Sequence, residues 1–249
     1  MLPLANAGII WLVTAVLYLL APVGWDHLAA WARRWKGWPR RWLSTLRRKP
    51  QGIWLRTTGR ILYCLGIPYA ALLLGVADAR RLGLAGLAWW PHLPLGTLVG
   101  LVGVLFLVWS WGRSSGAMYR RGSRHRLLFA EWQAFRRPWG WAHLAFEVIY
   151  LQVSWAFVRG AAVWLLDLYA GVFVGLALVA AAWLLRPGSP ASLAEPERRA
   201  QGLLTAGLAV LTALVFLYSE SLWLSAAVQA LGLLGATLAA GRAYARAAV

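Results

Sequence analysis

Seven stretches of predominantly apolar residues, each about 17 to 25 long, run through this chain near 5–24, 61–77, 94–112, 142–158, 161–185, 203–219 and 222–241. A helix rises about 1.5 Å per residue, so runs of that length match a hydrocarbon core roughly 30 Å thick. Lipid cannot hydrogen-bond an open backbone, which leaves a helix as the natural form for each run. The pattern predicts an all-α, polytopic transmembrane bundle of about seven helices, a single transmembrane domain over residues 1–249. The runs at 61–77 and 142–158 are short and the second contains Glu147, so each is also readable as part of a broken or tilted element.

Composition agrees. Of 249 residues, 61% are hydrophobic and 13% charged, against roughly 25% charged in an ordinary soluble domain. The net charge of +17 invites a nucleic-acid reading, which requires the basic residues to gather on one folded face. They gather in the connections instead. Segment 25–60 holds ten Lys and Arg and segment 113–141 holds seven, and with loop 186–202 and the C-terminal tail they account for 22 of the 25. Only Arg80, Arg81 and Arg159 fall on the opposite side. Basic residues collect on the cytoplasmic side of a multi-pass protein, so the N-terminus is expected outside, the C-terminus inside, and the chain in the cell inner (plasma) membrane. Segments 25–60 and 113–141 read as Trp/Arg-rich cytoplasmic loops lying on anionic lipid headgroups, with a short amphipathic helix near 124–136. No nucleic-acid partner is expected.

Many of the eighteen tryptophans fall near the ends of apolar runs, among them Trp11, Trp25, Trp54, Trp89, Trp90, Trp141, Trp183 and Trp223. An amphipathic ring suits the headgroup level, and they read as anchors. The first run lacks the basic start and small-residue cleavage site of a signal peptide, so it is expected to remain as the first helix. Ser189 or Ser192 is placed to cap a short helix carrying Glu195 and Glu197 in the one linker-like stretch.

A polar side chain at the bilayer centre costs roughly 2.5–3.5 kcal/mol on insertion scales, so each needs a partner or a purpose. Glu147, Gln152, Ser154 and Arg159 lie in or at the end of the fourth run, Asp167 in the fifth, Glu220 and Ser221 at the sixth–seventh junction and Gln229 in the seventh. Helical spacing puts Glu147, Tyr150 and Ser154 on one face and Gln152 with Arg159 on another, so the fourth helix should be buried rather than lipid-facing. An Arg159–Asp167 ion pair across a tight turn at Gly160 is the expected structural pair. Gly96 with Gly100, and Gly171 with Gly175, should let the third and fifth helices approach a neighbour closely.

Cys64 is the sole cysteine, excluding an intrachain disulfide and any multi-cysteine metal cage. His27, His92, His125 and His143 fall in loops or at run ends, and converging ligands for a metal are not evident. HExxH, GxxxxGK[ST], GxSxG and CxxCH are absent. No metal or cofactor is expected.

Two places resemble the CPBP family of intramembrane proteases, which includes the type II CAAX prenyl endopeptidases. That family's Glu-Glu-x-x-x-Arg-Gly motif falls on SWAFVRG, with Ser154 and Trp155 in the two Glu positions and Arg159-Gly160 retained. Its last helix falls on SLWLSAAVQALGL, keeping Ser221-Leu222-Trp223 in outline, with Gln229 where His belongs and Leu233 where Asn belongs. The middle motif maps near FLYSE, with Phe216 matching and Glu220 in the His position. The resemblance covers residues 120–241 and implies a CPBP-like core that has lost its water-activating groups, since Ser, Trp, Gln and Leu cannot act as base or polarising residue.

The leading expectation is therefore a non-catalytic integral membrane protein acting as scaffold or accessory subunit of a larger assembly, with a protein partner in the membrane. Two alternatives stand beside it: an intramembrane hydrolase using Glu147, Arg159 and Glu220 as an altered catalytic set, and a small transporter with Asp167 and Glu147 on its path.

Overall fold

The computed structural model describes residues 4–32, 58–84, 91–120, 140–187 and 196–247, and every regular element among them is helical. Among the described residues there are seven helices: α1 (Leu4–Ala32), α2 (Thr58–Leu73), α3 (Leu93–Arg120), α4 (Gly140–Leu165), α5 (Leu168–Leu184), α6 (Pro196–Ser219) and α7 (Leu222–Ala247). Five of them, α1, α3, α4, α6 and α7, are long and apolar enough to cross a membrane, while α2 and α5 are shorter apolar helices. The interfacial helix expected near 124–136, the caps at Ser189 and Ser192, and most of segments 25–60 and 113–141 lie outside the described residues. The described ends of those two segments are not loops: α1 continues to Ala32 and α3 to Arg120.

The largest departure from the sequence reading concerns the fourth and fifth runs. A turn at Gly160 is expected between them, yet α4 runs unbroken through Gly160 to Leu165. The break falls at Asp167, whose backbone is extended (φ −92°, ψ 177°) and whose carboxylate accepts from the Ala170 amide at 2.6 Å. Asp167 is thus the N-cap of α5 rather than a residue two turns inside it. A glycine inside a helix costs only about 0.5–1 kcal/mol, and here it makes room: a Cβ at Gly160 would lie 2.7 Å from the Trp11 ring.

The chain forms two compact units, Met1–Leu82 with Val153–Pro190 and Gly83–Gln152 with Ala191–Val249. In the first, α1 runs antiparallel to the second half of α4. Gly8 faces Trp164, Trp11 faces Gly160, and Tyr18 meets Ser154. Helix α5 is also antiparallel to α4, with Gly171 against Val163 and Gly175 against Arg159. The C-terminal ends of α1 and α5 therefore come together, where His27 Nε2 lies 3.0 Å from the Leu185 carbonyl and Arg186 Nε lies 3.8 Å from Asp26 Oδ2.

In the second unit, α3 runs antiparallel to α6 and parallel to α7. A Cβ at Gly96 would meet Ser219 at 2.8 Å and Leu224 at 3.1 Å; at Gly100 it would meet Val228 at 2.6 Å, at Gly103 Leu211 at 2.2 Å, and at Gly235 Val108 at 2.5 Å. Lipid tails are as apolar as leucine, so helices in a bilayer associate through packing at small residues rather than through burial from water. The same register gathers the C-terminal ends of α3 and α7 and the N-terminal end of α6, which carry Arg113, Arg120, Arg198, Arg199, Arg242 and Arg246. In the second unit, the basic helix ends thus lie together.

The α6–α7 junction is built from hydrogen bonds. Glu220 sits at φ 49° and its N–H donates to the Phe216 carbonyl at 2.7 Å. Ser221 Oγ accepts from the Leu224 N–H at 3.2 Å and caps α7, while the Leu222 N–H donates to the Gly83 carbonyl at 3.0 Å. A left-handed residue with a side chain costs roughly 1–2 kcal/mol. Glu220→Gly should therefore raise stability by about 1 kcal/mol, read as a later unfolding midpoint in detergent; a lower midpoint would show that the Glu220 side chain supports the turn.

Candidate functional site

Buried polar contacts occur in each unit, and the sequence explains how they arise. In the first unit, α1 contains Pro22. Proline has no N–H, so the carbonyl four residues earlier, that of Tyr18, loses its helical donor. The Tyr63 hydroxyl donates to that carbonyl instead. Tyr63 belongs to a π turn, Leu62–Gly66, immediately before Pro68 in α2. Pro68 withholds an N–H from the Cys64 carbonyl and crowds it, and widening the turn relieves the clash. The Tyr18 and Tyr63 rings stack 4.7 Å apart, and the Tyr18 hydroxyl hydrogen-bonds Ser154 Oγ at 2.6 Å. The Pro22 defect is thus closed by Tyr63, and the Pro68 defect is absorbed by the π turn that precedes it.

Around this cluster Trp11 is fully buried, with Phe157 and Trp164 each 6.2 Å away centroid to centroid. That corrects its expected role as an interfacial anchor, because Gly160 opens a slot for its ring inside the unit. Trp25, Trp141 and Trp223 are 69%, 64% and 63% exposed. Trp54, Trp89 and Trp90 lie outside the described residues.

In the second unit, Gln152 and Gln229 are each 1% exposed, and the Gln152 amide donates to Gln229 Oε1 at 2.5 Å. A buried amide is costly unless paired, and this pair satisfies one donor and one acceptor. Gln229 continues a stripe with Ser221 and Ser225 at spacings of four along α7. Ser225 Oγ lies 3.0 Å from the Ser221 carbonyl and 3.4 Å from that of Thr212. Ser225 and Thr212 are further members that the sequence reading does not single out; for Ser225 the i, i+4, i+8 repeat from Ser221 is the available signal. Tyr18 and Tyr63 were missed as well, and Pro22 four residues after Tyr18 was the signal there.

The residues marked from sequence scatter among these settings. Ser154 and Gln229 hold hydrogen bonds to other helices, and Trp155 is half-buried on α4. Arg159 is 5% exposed, with its backbone against Gly175. Asp167 is exposed and caps α5, Glu220 is exposed at the α6–α7 junction, and Glu147 is half-buried in the second turn of α4. Burial of α4 is as expected from its polar faces, the most complete among the five long helices. Among the described residues, no three His, Cys, Asp or Glu side chains gather as metal ligands. Comparison with family models, curated proteins and solved structures found no match for this chain.

Proposed function

We propose that this chain is a non-catalytic polytopic membrane protein that serves as scaffold or accessory subunit of a larger membrane assembly. The observation that carries the reading is the use made of the polar positions: Gln229 is spent on Gln152 inside one unit and Ser154 on Tyr18 inside the other. Groups committed to holding helices together are not poised to activate water. On this reading the scaffold is a CPBP-like one whose catalytic positions have been replaced by structural hydrogen bonds.

The chain sits in the inner (plasma) membrane with its N-terminus outside and C-terminus inside. The clustering of basic helix ends in the second unit supports this, because anionic lipid and the positive-inside bias favour one face. A protein partner has a natural contact in α3, whose Leu98, Leu105 and Trp109 are 59%, 69% and 59% exposed on the outward side. Photo-crosslinkers placed at those three positions in intact cells test the reading. The expected product is a discrete protein adduct of constant mass; adducts to lipid alone, together with a protein that purifies strictly by itself in mild detergent, would remove the scaffold function. A C-terminal green fluorescent reporter should be bright and a C-terminal alkaline phosphatase inactive if the tail is inside.

A further inference from the structure

At the end of the first unit away from Asp26 and Arg186, the Arg81 guanidinium carbon lies 3.7 Å from the centre of the Trp164 ring. Trp164 is one residue before the end of α4, which is long and apolar enough to cross a membrane. The stacked guanidinium is held in place from the side as well: Arg81 Nε lies 3.7 Å from Asp78 Oδ2, and Asp78 Oδ1 accepts from the Arg80 N–H at 3.0 Å. At 3.7 Å the carboxylate is an ion-pair partner but not a hydrogen-bond acceptor. Arg81 Nη1 is buried and has no acceptor within the protein, while the side chain as a whole remains 35% exposed.

A guanidinium presents five donors in a rigid fork that matches phosphate oxygens. Stacking on an indole fixes that fork without consuming its donors. Following Trp164 in the chain, Leu165, Leu166, Tyr169 and Phe173 are exposed apolar residues at and just beyond the α4–α5 turn. Donors at a helix end next to an apolar strip are complementary to one molecule the surroundings supply, a phospholipid with its phosphate on the donors and its acyl chains along the strip. We infer that Arg81, fixed on Trp164, is a phospholipid headgroup site taking the phosphodiester oxygens. This site is separate from the scaffold reading and does not depend on it. Asp78 competes with the phosphate for the same guanidinium and so tunes how tightly the lipid is held.

The test uses the full chain in mild detergent and native mass spectrometry, with palmitoyl-oleoyl-phosphatidylglycerol as the probe. Diacylglycerol of the same chains and inorganic phosphate are the comparison arms. The wild type should retain one phospholipid, diacylglycerol should not replace it, and Arg81→Gln should lower occupancy at least fivefold. Arg113→Gln, on a guanidinium 5.2 Å from the Trp109 ring in the other unit, should leave it unchanged. Asp78→Asn keeps the acceptor for the Arg80 N–H but removes the competing charge, and should raise occupancy about threefold. A folded Arg81→Gln protein that retains lipid like the wild type overturns the site, as does equal retention of diacylglycerol. Binding of inorganic phosphate without any gain from the lipid overturns the lipid assignment. Should Arg81→Gln fail to fold, Asp78→Asn decides alone: unchanged or lower occupancy refutes the proposal.

Discussion

Gly171→Ala is expected to lower stability by about 2–3 kcal/mol, the upper range for overpacking a closed interface. The new Cβ would lie 2.5 Å from Val163 Cα and 2.6 Å from Val163 N. Both are backbone atoms of α4, so no rotamer change relieves the clash, and α5 must move away as a whole. In a bilayer the loss is not softened by burial elsewhere, since packing itself drives association there. Gly24→Ala in α1 is the matched control, because a Cβ there meets nothing within 4 Å. It should be neutral or stabilising by up to about 1 kcal/mol through helix propensity. Unfolding in mixed detergent micelles reads both. Equal midpoints for the two variants would mean that α5 is not held by contact at Gly171.

The second large effect concerns the amide pair. Gln152→Leu leaves the Gln229 carboxamide buried opposite an apolar side chain, and Gln229→Leu leaves that of Gln152. Stranding a buried polar group costs about 1–3 kcal/mol, whereas replacing both partners with apolar residues of similar shape is close to neutral. The expected pattern is two damaging single variants and a double variant that recovers most of the loss, a coupling of about 1–2 kcal/mol between contacting residues. Additive losses in the double variant would show that each glutamine serves something other than its partner. A protein partner still captured by the double variant would place the pair in the fold and outside the docking surface.

Glu147 shows where sequence reasoning about single residues stops. It was marked because a carboxylate in an apolar run is expensive, and the structure leaves it half-buried near the start of α4. Cost identifies a residue that needs an explanation without saying which neighbour provides it. Gln229 was marked on the same ground, and its partner Gln152 lies 77 residues away on another helix. Spacing along a helix predicts faces; it does not predict which helix a face meets.

The glycine pairs are the opposite case. Gly96 with Gly100 and Gly171 with Gly175 were legible as close-approach positions, and a Cβ at any of the four would come within 2.9 Å of a neighbouring helix. Absence of a side chain is a property of the residue alone, so its consequence for packing can be read early. Gly160 looked like a chain turn for the same reason and was not one. Whether a glycine bends the backbone or admits a neighbour depends on what arrives opposite it, here Trp11.

By itself the sequence determined that this polypeptide is helical and suited to hydrocarbon, because a nonpolar solvent requires each run to satisfy its own backbone and leaves the charges at the ends. It also determined the two proline defects, since a missing N–H is covalent chemistry. The tertiary structure alone decided that Tyr63 would close the defect at Tyr18, that Gln152 would find Gln229, and that Arg81 would lie on Trp164. Each of those contacts joins residues distant in the chain, and hydrogen bonds and ring stacking act over a few ångströms of space with no regard for sequence order.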